Sequence, residues 1–237
     1  MMPLTMLFAR SLAGRRRVVA LGVLALLPAV AAVLVTSFGV VDDPDRFTAR
    51  IVERMLLPVI LALITVVLGA SVIGEGREDG TILYIVATPL RRSRIIAAAW
   101  LASTAVSVGL ILPAALVVTI VPGAVGARGV ASTVLATVLA AAAYSALAVL
   151  FSLSVRHGIL AGILYVLLWE SSVANFAASA SRLSIAAYAK VIAASGFDDA
   201  PPLNVPAVSR TSAVLLLVAG TALLIAAGTR QLRRADL

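Results

Sequence analysis

The stretch Met55–Arg94, MLLPVILALITVVLGASVIGEGREDGTILYIVATPLRRSR, contains the two features that decide the fold. Its first twenty residues, Met55–Gly74, carry no charge, and about twenty apolar residues is the length of an α-helix that crosses a bilayer. The next twenty residues, Glu75–Arg94, hold seven charged side chains. The stretch therefore predicts a transmembrane helix followed by a connection in water.

The composition extends this prediction to the whole chain. Hydrophobic residues make up 62% of the sequence and charged residues only 13%, with a mean hydropathy of +1.10. So few charges cannot cover a water-facing surface, which excludes a soluble globular domain. The absence of cysteine excludes disulfides, thiolate metal sites and cysteine nucleophiles. The net charge of +8 is interpreted as arginines beside an anionic membrane leaflet, with no nucleic acid as partner.

Charge-free apolar runs predict an all-α integral membrane protein with six transmembrane helices. The runs are rich in alanine, leucine, valine and isoleucine, and they contain glycines of the kind that let helices approach closely in lipid. They cover residues 18–38, 55–74, 95–121, 130–155, 159–176 and 211–228.

The distribution of basic residues predicts the orientation. With six spans both termini lie on one side, and that side then holds twelve of the nineteen basic residues. Because the arginine and lysine bias sets topology, both termini are expected in the cytoplasm, together with Glu75–Arg94. On the other side, Asp42–Arg54 is predicted to be a short charged loop, and Arg182, Lys190 and Arg210 are expected on a solvated face or at lipid headgroups.

Two further segments are predicted to lie at the membrane surface. Residues 1–17 form an amphipathic interfacial helix, because Leu4, Leu7, Phe8 and Leu12 share one face. The apolar run that follows is too long for a signal peptide core, so we interpret it as a retained span. Residues 177–210, the external segment, are too few for a domain and too apolar for a plain loop, which predicts short re-entrant or interfacial helices between spans five and six.

A short helix is predicted inside the connection between spans two and three. Asp79 can cap a helix that begins at Gly80 or Thr81, and Pro89 ends it. Ile82, Ile85 and Val86 share one face, which Leu83 and Tyr84 broaden. Contact with lipid alone explains the arginines after this short helix but not the acids before it. A groove in a soluble partner that receives the helix explains both.

These residues resemble a known family. The order Glu78, Gly80-Thr81, Leu83, Thr88-Pro89 and then a basic cluster is similar to the coupling-helix region of ABC-2 type permeases, the membrane subunits of ABC exporters with the type V, ABCG-like fold. The six spans, the interfacial N-terminal helix and the segment before the last span also resemble this family. The resemblance therefore covers essentially the whole chain.

The resemblance implies an exporter subunit of the cell inner (plasma) membrane that forms the path for an amphipathic, lipid-like or drug-like substrate. Two copies of a soluble ATP-binding subunit would bind ATP and Mg, and this chain has no phosphate-binding Gly-x-x-x-x-Gly-Lys-Ser/Thr loop of its own. A second permease chain, identical or different, and membrane lipids would be the other partners. The coupling helix, residues 77–90, would sit in the ATPase; the expected contact residues are Glu78, Asp79, Gly80, Thr81, Ile82, Leu83, Ile85, Val86, Pro89, Arg91 and Arg92.

Glu170 is the only acid within a predicted span. An ionisable group at that depth is costly in lipid, so Glu170 and the neighbouring Trp169 are candidates for a substrate or gating contact. The alternative is that Glu170 reaches the outer interface. A self-contained secondary transporter or channel is the other functional class, although one glutamate supports it weakly. An intramembrane hydrolase is disfavoured, because the only histidine, His157, lies in a predicted cytoplasmic turn away from any nucleophile.

Overall fold

The structure is a computed structural model that describes residues 2–12, 14–39, 43–78, 92–122, 125–173, 180–197 and 207–234. All regular structure within these ranges is helical. The helices are α1 (Met2–Leu12), α2 (Arg15–Ser37), α3 (Pro44–Ile51), π1 (Val52–Leu61), α4 (Ala62–Glu78), α5 (Arg92–Ile120), α6 (Ala127–Ser154), α7 (Gly158–Leu164), π2 (Tyr165–Val173), a 3-10 turn (Ala180–Leu183), α8 (Ile185–Ala194) and α9 (Arg210–Arg234).

Five helices of the described part are long and apolar enough to cross a membrane: Arg16–Ser37, Pro44–Gly74, Arg92–Ile120, Ala127–Ser154 and Arg210–Leu232. The chain is thus an all-α, multi-pass membrane protein, as its composition predicts. The predicted span at 159–176 is different, since the apolar helix there, Gly158–Glu170, is shorter than the other five.

The second crossing helix begins earlier than predicted. Residues 44–54 belong to α3 and the start of π1, so the prediction of a loop at Asp42–Arg54 is wrong for this part. Asp43 caps α3 by accepting a hydrogen bond from the amide of Arg46 (3.1 Å), and Pro44 occupies the first turn. The charged residues Asp43 and Asp45 did not end the helix here, because a capping residue and an acidic side chain are both favourable at the first turn of a helix.

Helix α6 forms the centre of the bundle and packs against α4, α5, α8 and α9. Ala140, Ala141 and Ala148 on α6 are fully buried. Opposite them, a Cβ atom at Gly69 of α4 would lie 2.7 Å from the Cβ of Ala148 and 3.3 Å from the carbonyl oxygen of Ser145. Small residues therefore set the close approach of α4 and α6, as expected for helices in lipid.

One end of the bundle, which we call the basic end, brings together the end of α4, the start of α5, the end of α6 and the end of α9. Arg92 donates a hydrogen bond from Nη1 to the carbonyl oxygen of Leu232. A Cβ atom built at Gly228 of α9 would lie 3.7 Å from the side chains of both Ile96 and Leu153. Three crossing helices thus contact one another around the start of α5.

The N-terminal residues form two helices rather than one interfacial helix over 1–17. Helix α1 ends at Leu12, and Arg15–Arg17 already belong to α2. Phe8 and Leu12 are buried because α1 packs against α4 and α5, whereas Met6 and Leu7 are exposed. One part of the apolar face of α1 therefore packs against the bundle, and the other part is exposed.

The helix α7–π2 is short, and α8 runs beside the bundle centre. The sixteen residues of α7 and π2 rise about 24 Å or less, below the roughly 30 Å of a hydrocarbon core. Ser184 and Ile185, at the start of α8, line one cavity with Ala143 and Leu147 in the middle of α6. At the other end of α8, the carbonyl oxygen of Ala193 accepts a hydrogen bond from Ser132 (2.9 Å), close to the start of α6.

Helix α8 therefore extends along α6 from its middle toward its N-terminal end, away from the basic end. Eight of its ten residues are buried. The external segment, residues 177–210, was expected to place short helices at or into the outer leaflet. The described helix of this segment, α8, packs among π1, α6 and α9, so it is not a helix that lies only on the membrane surface; the re-entrant alternative stays a prediction.

Candidate functional site

The predicted coupling residues fall mostly outside the described residues. Glu78 is the last residue of α4, with its side chain not described, and Arg92 is the first residue of α5. The predictions for Asp79, Gly80, Thr81, Ile82, Leu83, Ile85, Val86, Pro89 and Arg91, and with them the coupling helix itself, lie outside the described residues. Of the set, Arg92 alone has a described side-chain contact, the hydrogen bond to Leu232.

Glu170, in contrast, lies inside the bundle with 1% of its surface exposed. Its Oε1 atom accepts hydrogen bonds from the backbone amide of Ile185 (2.9 Å) and from the hydroxyl of Tyr165 (3.2 Å). Its Oε2 atom accepts a hydrogen bond from the hydroxyl of Ser184. Trp169 beside it is half-buried. The carboxyl group of Glu170 is therefore held by the start of α8 and does not lie at a water interface.

This contact completes the N-terminus of α8. Ser184 is the capping residue, because its hydroxyl oxygen accepts a hydrogen bond from the amide of Ala187 (3.0 Å). The first amides of a helix lack partners and carry partial positive charge, which a carboxyl group neutralises. Glu170 supplies that group from a different helix, so it connects π2 to α8.

The far end of α8 is held by α6. Besides the Ser132 hydrogen bond, the chain at Gly196 passes so close to α6 that a Cβ atom there would lie 2.7 Å from both the Arg128 carbonyl oxygen and the Gly129 Cα atom. Only glycine fits this approach of two backbones. Helix α8 is thus attached at its start to π2 and at its end to α6.

Two further ionisable groups face the same region. Lys190 of α8 is 8% exposed and Glu53 of π1 is 5% exposed. Lys190 lies within electrostatic reach of both Glu170 and Glu53. The Oε1 atom of Glu53 has no hydrogen-bond partner among the described residues. The expectation that Lys190 lies on a solvated face or at lipid headgroups is wrong, because α8 is buried.

Opposite charges in a buried site stabilise a fold mainly by compensating each other, so removing one partner is costly. We expect Lys190→Met and Glu53→Gln each to lower the free energy of unfolding by about 2 kcal/mol, and the double variant to lose about 1 kcal/mol less than the sum. Reversible unfolding of the four proteins in mixed micelles measures the coupling. Strict additivity would show that the two groups do not interact.

The sequence signals for this cluster were partial. Glu170 stood out as an acid inside an apolar run, and Ser184 is a common helix-capping residue. Glu53 lies in a charged stretch, so nothing local marks it as buried. Lys190 is the only charged residue in the apolar helix Ile185–Ala194, which is a weak local signal, and its burial follows from the packing of α8 against π1 and α6. The described residues contain no group of three or more histidine, cysteine or acidic side chains that could hold a metal ion.

No protein-family model matches this chain, and no curated protein matches it either. The role of the cluster formed by Glu170, Ser184, Lys190 and Glu53 is therefore inferred from its own chemistry. Its described hydrogen bonds connect helices, and any direct contact of Glu170 with a transported molecule would require α8 to move. These contacts favour a structural or gating role over a permanent substrate-binding role.

Proposed function

We propose that this chain is the membrane-spanning permease subunit of an ATP-driven exporter of the ABC-2 type. The observation that carries the proposal is the sequence Glu78–Arg94, which resembles a coupling-helix region and runs from the last residue of α4 to the first turn of α5, two membrane-crossing helices. ATP and Mg would bind to a separate soluble subunit, present in two copies. The substrate would be amphipathic, lipid-like or drug-like, and a second permease chain would complete the path.

The packing at the basic end supports this proposal. A movement imposed on residues 79–91 would reach α5 at Arg92, whose side chain is hydrogen-bonded to α9. It would reach α6 and α9 through the contacts of Ile96 and Leu153 with Gly228. Rigid-body movement of packed helices is a known way to transmit such a change.

The finer topology is part of the same proposal. We propose six crossings with both termini in the cytoplasm of an inner (plasma) membrane protein, in which the fifth crossing consists of two pieces. The helix α7–π2 would form the cytoplasmic part, and α8 the outer part. The attachment of Glu170 to the N-terminus of α8 supports this arrangement, since broken helices in membranes need partners for their free backbone groups.

A secondary transporter or channel is the second candidate, and one observation favours it. Glu53, Glu170 and Lys190 are buried, with Lys190 within electrostatic reach of both acids, and the chain is interrupted between π2 and α8; transporters that use ion gradients place ionisable groups at such breaks. Transport by the purified chain alone in proteoliposomes, driven by a proton or sodium gradient without ATP, would favour this function over the exporter.

To test the exporter, the neighbouring reading frames are first searched for an ATP-binding subunit; the chain is coexpressed with it, and ATP hydrolysis is measured in the purified complex. We expect Glu78→Lys to reduce the permease-dependent part of the hydrolysis about tenfold, because it reverses a charge at the start of the proposed contact. Arg128→Glu, a charge reversal at the opposite end of the bundle, is the matched control. Wild-type coupling in Glu78→Lys, or absence of a complex, would contradict the proposal.

A further inference from the structure

A crevice of about 400 Å³ opens between α6, α9, π2 and the turn that precedes α8. Its walls are largely apolar and include Ala143 and Leu147 of α6 and Leu217 and Leu224 of α9. Tyr165 and Arg182 also line it. A volume of this size lies within the range of small-ligand sites.

The crevice lies near the middle of the helices that form it. Ala143 is about 24 Å along the axis from the start of α6 and about 16 Å from its end. Leu217 and Leu224 likewise lie well inside α9. Because both helices are membrane-crossing candidates, the crevice is at a depth where water is scarce.

The hydroxyl groups that line the crevice already have partners. Those of Tyr165 and Ser184 donate to Glu170, that of Thr221 donates to the carbonyl oxygen of Leu217 (2.7 Å), and that of Tyr188 donates to the carbonyl oxygen of Arg182 (2.7 Å). The side chain of Arg182 is exposed, and its guanidinium has no hydrogen-bond or ion-pair partner among the described residues.

An unpaired guanidinium at this depth is unfavourable and is expected to meet an anion. The described residues include no ion pair between Arg182 and Glu170, whose oxygens accept hydrogen bonds from π2 and the start of α8. A second copy of this chain would bring no free carboxyl group at this depth from its described residues, since Glu53 is buried as well. A ligand in the crevice would supply such an anion.

The shape of the crevice defines the rest of that ligand. A methylene group occupies about the volume of a water molecule, roughly 30 Å³, so about 400 Å³ holds about thirteen methylenes of one alkyl chain and not two chains. The end of a longer chain would extend out of the open crevice. Gly220 widens the crevice from the α9 side, since a Cβ atom there would meet nothing within 4 Å.

We propose that this crevice binds a single-chain amphiphile with an anionic head, such as a fatty acid. Arg182 pairs with the head group, and the chain lies between α6 and α9. Such a pair is strong because a guanidinium donates two parallel hydrogen bonds to a carboxylate. The site lies within this chain and does not depend on an ATPase partner.

The test uses the whole chain in nanodiscs of phosphatidylcholine, with spin-labelled stearate at a pH where it is ionised and its methyl ester as the uncharged probe. Electron paramagnetic resonance measures the immobilised fraction of each probe. We expect stearate to bind about tenfold more tightly than the ester, and Arg182→Gln to abolish this preference. Gly220→Leu, which fills the crevice, should reduce the binding of both probes.

Arg128→Gln and Gly109→Leu are the matched controls, because Arg128 is exposed at the end of α6 and Gly109 also has open space beside it. Both should bind the probes as the wild type does. Equal binding of stearate and ester to the wild type, or unchanged binding in both Arg182→Gln and Gly220→Leu, would overturn the proposal. So would a demonstration that Arg182 contacts a second copy of the chain in the nanodisc. None of these results would alter the coupling of an ATPase at Glu78.

Discussion

Replacing Glu170 with alanine is expected to lower the free energy of unfolding by about 4 kcal/mol. The substitution leaves the amide of Ile185 without its partner in an apolar environment and removes the acceptor for the hydroxyls of Ser184 and Tyr165. It also removes the group that neutralises the N-terminus of α8. Unfolding in mixed micelles measures the stability loss.

The same change should loosen α8. The chain has no cysteine, so a cysteine placed at Ala186, which is 1% exposed, is the only thiol available for labelling. We expect this thiol to react slowly in the parent protein and at least tenfold faster with Glu170→Ala, because local opening controls access. Glu170→Gln keeps one acceptor oxygen and should show a smaller effect on both measurements.

Asp45→Ala is a suitable control for these experiments, since Asp45 lies in the first turn of α3 and makes no described contact with Glu170 or α8; the loss of a first-turn acid should change stability by only about 0.5 kcal/mol. If Glu170→Ala had wild-type stability and left the thiol at position 186 protected, the attachment of π2 to α8 would be refuted. If Glu170→Gln were stable but inactive in transport, Glu170 would be a functional contact in addition to a structural one.

Gly69→Leu should be the most damaging single change between two membrane-crossing helices, with a loss of about 3 kcal/mol or more. Even a Cβ atom at position 69 would approach the Cβ of Ala148 to 2.7 Å and the Ser145 carbonyl oxygen to 3.3 Å. The first atom is the Cβ of an alanine, which is fixed to the backbone, and the second is a backbone atom, so neither can rotate away. Helices α4 and α6 would have to separate.

Gly109→Leu makes the same chemical change on α5, where no atom lies within 4 Å of the would-be Cβ. It should leave stability unchanged or improve it, because leucine favours a helix more than glycine does. Unfolding of both variants and of Gly69→Ala, which should be intermediate, tests the packing. A Gly69→Leu protein as stable as Gly109→Leu would show that α4 and α6 do not meet at this point.

The crossing helices could be predicted from the sequence because hydrophobic length alone determines them. The charge-free run at Met55–Gly74 lies inside a helix that the structure extends to Pro44, and the extension also had a local signal, since Asp43 followed by Pro44 is a typical helix start. The prediction missed it because it treated charge as the end of the helix.

The cluster around α8 could be predicted only in part. Glu170 was conspicuous in the sequence, but its partners Ser184 and Ile185 lie fourteen and fifteen residues later and are brought to it by tertiary packing. The burial of Lys190 depends on π1, which is more than a hundred residues away in the chain. Periodicity and composition describe local segments and contain no information on such pairings.

The hydrogen bonds of Glu170 also bear on how the chain enters the membrane during synthesis. Residues 158–173 form a short helical segment with an acidic side chain, and such a segment is a weak signal for the translocon, because an aspartate near the centre of an inserting helix costs about 3 kcal/mol. Tyr165 in the same segment supplies one hydrogen bond to this carboxyl, but the donors at positions 184 and 185 are made later by the ribosome. We therefore expect stable integration of this segment to wait until α8 has been synthesised, so that the two pieces enter the bilayer as one unit.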